Sequence, residues 1–273
     1  MHMNIVQIKL NKSFVQPLLI CLLALCSIHI PLKSAAQNDS TTVLEKMPED
    51  LETDFALSAL PPHLRNSATV YLLDPTKGYY VARAGTNGFV CFISRTEWEW
   101  GEFRKDLAVP MSYDAEGAKT VFIVYKDVAA MRASGKFTAL QIRDTVVQRI
   151  KNGFYKAPSK GGISYMLAPV MRAYEADPDD KKIISISVPH YMFYAPYTTD
   201  ADIGITPDSE QEFILGNPGN YVLGKGKGPF GIVIFPVSHE HKLKIVADED
   251  ALLKRLVAYK SYFAVKAGAA HHH

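Results

Sequence analysis

The chain has 273 residues, with 30 Lys and Arg against 28 Asp and Glu and 48% hydrophobic residues. A net charge of +2 is too small to steer the chain to nucleic acid or anionic lipid, so nucleic-acid binding is not expected. The length suffices for a sizeable core, most simply in one domain.

Residues 1–36 read as a secretory signal: Lys9 and Lys12 precede an apolar run over 14–30, and Ser34-Ala35-Ala36 offers a small-residue cleavage site. The run falls short of the ~20 residues needed to span a bilayer, and Gln16-Pro17 interrupts its start. The expectation is cleavage after Ala36 and a periplasmic or secreted protein with no integral membrane segment. Lipoprotein anchoring is the alternative, but Leu25 before Cys26 and Ile20 before Cys21 stand where a small residue is wanted. Cleavage removes Lys9, Lys12 and Lys33 and no acid, turning +2 into −1, and takes Cys21 and Cys26 with it. Cys91 then has no partner for an intramolecular disulfide, and its apolar surroundings over 88–93 mark it as buried packing.

Residues 37–48, polar and rich in Ser and Thr, read as a flexible lead-in to a domain over 49–265, with 266–273 as a tail. Asp50 is placed to cap a helix carrying Leu51, Phe55 and Leu60, which Pro61-Pro62 ends. Strands are expected over 68–73 and 79–83 about a turn at 75–78, and again around Cys91 after the turn Gly85-Thr86-Asn87-Gly88, together a three-stranded meander. Trp98 and Trp100 lie in a loop with Glu97, Glu99 and Glu102. They would stack on a sugar or partner if exposed, but their large apolar area favours a place over the core. The 3.6-residue spacing of Ala118, Val121, Phe122, Tyr125, Val128 and Ala129 predicts a helix, although the β-branched run 121–125 also suits a strand. A second helix runs from Thr138 as cap through Ile142, Val146 and Ile150 to Asn152-Gly153.

Further on, 163–168 and 183–188 read as strands, with 191–194 prolonging or pairing the latter. A turn is marked at 217–220, a strand over 230–237, and a last helix over 248–263. The pattern predicts an α+β fold: an antiparallel or mixed β-sheet with helices packed on one face, in a single domain.

No complete catalytic motif is present. Residues 219–225 spell G-x-x-x-x-G-K, but Gly226 stands where a P-loop needs Ser or Thr, and 224–228 reads as a flexible loop. Gly162-Ile163-Ser164-Tyr165-Met166 misses the nucleophile elbow because Met166 replaces its second glycine. Two constellations remain. His190, Tyr191 and Tyr194, followed by Asp200 and Asp202, lie at a strand end where polar tips on an apolar wall would line a ligand pocket. His239-Glu240-His241 follows the 230–237 strand; if extended, both imidazoles share a face and could hold zinc or another transition metal. His190 or His63 would then be the third ligand, with Asp114 or Glu116 as carboxylate. The preferred reading is a non-enzymatic domain that binds a small molecule or a protein, and the alternative is a metal-assisted hydrolase.

Several stretches look like a family of uncharacterised exported bacterial proteins: Gly85-Thr86-Asn87-Gly88-Phe89-Val90-Cys91, Asp114-x-Glu116-Gly117, Ser164-Tyr165-Met166-Leu167 and Pro189-His190-Tyr191-Met192-Phe193. The resemblance covers most of 51–196 and implies a periplasmic address and a single domain, with no activity and no catalytic residue to carry over. Relatives often have a cysteine near Met111. This chain lacks it, so a disulfide from that position to Cys91 is absent.

Overall fold

The computed structural model describes residues 44–175, 181–205, 214–216 and 227–265. The expected signal over 1–36, the first part of the lead-in, the 217–220 turn, the 219–225 glycine-rich stretch and the 266–273 tail lie outside the described residues. Residues from Ala36 onward form one compact unit. It is α+β, and among the described residues no helix is long and apolar enough to cross a membrane.

The first half runs α1 (Glu49–Leu57), α2 (Pro62–Arg65), β1 (Thr69–Asp74), β2 (Gly78–Arg83), β3 (Val90–Ser94) and β4 (Val109–Tyr113). Three helices follow: α3 (Ala115–Lys119), α4 (Val121–Ala133) and α5 (Ala139–Lys151). The second half comprises β5 (Ile163–Met166), β6 (Met171–Tyr174), β7 (Ile183–Ile186), β8 (His190–Tyr194), β9 (Ile214–Gly216), β10 (Gly231–Pro236), α6 (His239–Asp248) and α7 (Asp250–Tyr259).

Strands pair in the orders β2-β1-β3-β4 and β5-β8-β10-β9, with β6-β7 as a separate hairpin. The expected meander is corrected: β3 lies on the other side of β1 from β2 and runs parallel to β1. The cause is the turn before β3. The amides of Thr86 and Asn87 both donate to Ser67 O, at 2.7 and 3.1 Å, and Asn87 Nδ2 donates to Leu64 O at 2.8 Å. These bonds return the chain to the start of β1, and Gly85 passes so close to the 67–69 backbone that a Cβ would collide with it.

Serines join the two main sheets where a full ladder is missing. Ser112 Oγ donates to Tyr165 O at 2.9 Å and accepts from Tyr165 N at 3.1 Å, Ser164 Oγ donates to Ser112 O at 2.5 Å, and Asp114 N donates to Ile163 O at 3.2 Å.

Helices cover both faces of the sheet, where one was expected. Alternation along β3 sends Val90 and Phe92 into a core under α4 and α5, and Cys91 and Ile93 into a second core with α1 and α7. Phe55 of α1 meets Phe263 edge on at 5.6 Å, and Arg255 of α7 pairs with Asp50 and Asp54 at 2.7 and 2.5 Å. Asp50 therefore sits in an ion pair within the first turn, and the helix start has no side-chain cap. Thr138 and Gln141 form the capping box that starts α5.

Candidate functional site

β8 carries most of the residues expected to bind a ligand, and its pleat sends them to opposite faces. His190, Met192 and Tyr194 point into the first core, while Tyr191 and Phe193 face outward. His190 is buried, and since a carbonyl only accepts, its Nδ1 donates to Val188 O at 2.6 Å. Burial holds its pKa below the ordinary histidine value, against the opposing effect of that bond. Tyr194 is buried too, its hydroxyl 3.0 Å from Asp114 Oδ1 and 3.2 Å from Ile163 O. Burial first, and then the Asp114 charge, push the phenol well above its usual range.

Asp114 caps α3. Its Oδ1 accepts from the amides of Glu116 and Gly117 at 3.1 and 2.9 Å, and its Oδ2 from the Ile163 amide at 2.9 Å. Glu116 Oε1 accepts from Ser159 N and Oγ at 2.6 and 2.8 Å, and these bonds lower its pKa. Both carboxylates considered beside the histidines are thus tied into local structure. Asp200 Oδ1 accepts from the Ile214 amide at 2.8 Å. Asp202 Oδ2 accepts from Thr199 N and Oγ1, both at 2.8 Å, which lowers its pKa. These acids shape the turn after β8 and do not meet Tyr191.

His239 and His241 do not extend β10. Ser238 caps a helix there, its Oγ accepting from His241 N at 3.2 Å. On a helix, residues two apart project to nearly opposite sides, so the shared face expected for the two imidazoles does not form. Among the described residues no three His, Cys, Asp or Glu side chains are grouped to hold a metal ion, so His190, His239 and His241 are not brought together as ligands. Cys91 is buried and its thiol is pushed up to about 12 by burial. Trp98 is buried in the first core, and Trp100 stacks on Tyr174 with centroids 4.2 Å apart.

The structure instead draws Tyr191, His63 and His241 into one cleft of about 380 Å³. Its floor is the outer face of the second sheet, where Tyr165 of β5 lies opposite Tyr191 of β8, the rings edge to face at 5.7 Å. One wall is the Leu60-Pro61-Pro62-His63 corner leading into α2, and the other is the α6 side presenting His241, Lys244 and Ile245. Arg65 Nη1 spans the two walls to Glu249 Oε1 at 2.5 Å, while its Nε donates to Leu60 O at 2.8 Å. Lys244 pairs with Asp248 at 2.6 Å. The imidazoles of His63 and His241 and the hydroxyls of Tyr165 and Tyr191 make no hydrogen bond to another described residue. The charged groups at the mouth are thus mutually paired, and the aromatic rings, hydroxyls and imidazoles remain available to a guest.

A depression of about 540 Å³ beside α5 is bounded only by residues within 136–152, chiefly one polar helix face, and lacks opposing walls. The cleft at Tyr191 is the better-formed site. Tyr165, Arg65, Lys244 and Glu249 were not candidates from the sequence. The alternation of Ser164, Tyr165 and Met166 in β5 was the one local sign that Tyr165 faces away from the first core, and it packs at the edge of the second.

The chain matches no known protein family, no curated protein and no solved structure.

Proposed function

We propose that this is a non-enzymatic binding protein that takes a small organic molecule in the cleft floored by Tyr165 and Tyr191. The observation that carries the reading is the cleft itself: about 380 Å³ between four separate parts of the chain, with an aromatic floor and unengaged polar groups at its sides. That volume and mixed lining suit a small-molecule site. Asp114 and Glu116, the carboxylates considered beside the histidines, are held by a cap and a loop and do not line the cleft, so the reading rests on recognition. The reading also places the protein outside the cytoplasm, on the strength of residues 1–36.

The test is a thermal-shift screen of a chemically diverse fragment library against the protein and its Tyr191→Ala variant. A genuine ligand at a hundredfold its Kd stabilises by about 2.7 kcal/mol, or about 5–10 °C at this size. Tyr191→Ala is expected to weaken such ligands about tenfold or more by removing the aromatic floor. Hits that bind the variant equally well would refute the cleft as the site.

A further inference from the structure

Tyr191 does not end at the cleft floor; it begins a row of aromatic side chains that runs onto the open face of the second sheet. Register places Phe235 opposite Tyr191 and Val233 opposite Phe193, so these four share one face. Phe193 and Phe235 meet edge to face with centroids 5.4 Å apart. They are 44% and 51% exposed, whereas Met192 and Ile232, on the opposite face of the same strands, are 2% and 5% exposed. This sheet is therefore apolar on both faces, and on the outer one no described element covers Phe193 and Phe235. Ile214, opposite Val233, is buried, so the bare shelf stops at β9. An exposed aromatic patch that leads directly into a cleft is a recognition surface.

We propose that the guest of the cleft is an amphiphile, its uncharged polar head among His63, His241 and the Tyr165 and Tyr191 hydroxyls, its hydrocarbon chain laid along Tyr191, Phe235 and Phe193. The inference rests on the cleft being a ligand site. The head is uncharged because the mostly buried Arg65–Glu249 pair is already satisfied and an ionic head would have to break it, while the exposed Lys244–Asp248 pair contributes little either way. The tail is a hydrocarbon because neighbouring rings stand at 75° and 83° to each other and offer no coplanar faces to successive sugar rings. An alkyl chain has no plane of its own and packs against edge and face alike.

The experiment measures binding of butyl, hexyl and octyl glucoside, each below its critical micelle concentration, to the native protein and to Phe193→Ser and Phe235→Ser. Both residues are half exposed, and circular dichroism melts check that the variants fold. Affinity is expected to rise about twofold per methylene, short of the roughly fourfold of full burial because the shelf covers one side of the chain. Both variants should flatten that dependence, octyl glucoside losing the most affinity and butyl glucoside the least. A chain-length dependence that is absent, or that survives both substitutions, overturns the shelf and leaves the cleft standing on its fragment screen. Failure of all three glucosides to bind the native protein overturns the amphiphile, while fragments that bind through Tyr191 would still uphold the cleft. Sedimentation velocity adds a further decisive outcome: a native dimer that either variant dissociates makes the shelf a contact between copies and overturns the inference.

Discussion

Glu52 of α1 is 1% exposed, and its Oε1 accepts from the Leu73 amide at 2.9 Å. Burial raises its pKa from the ordinary 4.5 to about 7, and the Leu73 bond and the nearby Arg95 charge only partly oppose this. Because the folded value lies above the unfolded one, the stability tied to the neutral acid is complete below about pH 4.5 and is lost as pH rises toward 7. The loss is about 3 kcal/mol. Glu52→Gln keeps an acceptor for Leu73 and removes the titration. It is expected to match the native protein at pH 4 and exceed its stability by about 3 kcal/mol at pH 8 in denaturant titrations. Equal stability at both pH values would show that Glu52 ionises normally in place. Its burial was invisible in the sequence; it is one of three acids in the first turn of α1. Cys91 was legible because its neighbours on both sides are apolar and strand-forming, whereas Glu52 is buried by elements far away in the chain.

Elements governed by local chemistry were readable, and those governed by distant pairing were not. The start and end of α5 follow from Thr138, Gln141 and Asn152-Gly153, and Thr138→Ala is expected to cost about 1 kcal/mol in chemical denaturation. The helical spacing prevailed over the β-branched run from Val121 on, since Phe122, Tyr125 and Val128 bury one face of α4 against the sheet, while Ala118 falls in the separate α3. The histidine pair at 239 and 241 was misjudged although the decisive signal was local: Ser238 is a strong N-cap, and it outweighs continuation of β10. The side of β1 on which β3 pairs could not be read from strand propensity, because it depends on backbone contacts of Gly85 and Asn87. The α3 start shows a further coupling. A Cβ on Gly117 would collide with the Tyr194 hydroxyl, so Gly117→Ala is expected to destabilise by about 2–3 kcal/mol. Adding Tyr194→Phe should recover part of that loss, and a double-mutant cycle measures the coupling; strict additivity would mean that the two do not press on each other.

At the scale of the molecule, the α+β class was legible in the order of periodic segments, while the cleft was not, because its floor and walls come from residues near 60, 165, 191 and 241. Sequence reading found three of these, Tyr191, His63 and His241; it named His63 beside His241, but it set Tyr191 with His190, Tyr194, Asp200 and Asp202, which do not line the cleft. Their actual association depends on Arg65 and Glu249 joining the α2 corner to the end of α6. The second core has the same long-range character: Leu51 and Phe55 pack with Leu252, Leu256 and Phe263. A chain ending after Ala247 is expected to lose its cooperative thermal transition and to bind the dye ANS, because α1 is left with an uncovered apolar face. This contact also imposes an order on biosynthesis. α1 waits for α7, so the second core stays open during synthesis until the chain beyond Leu256 has been made.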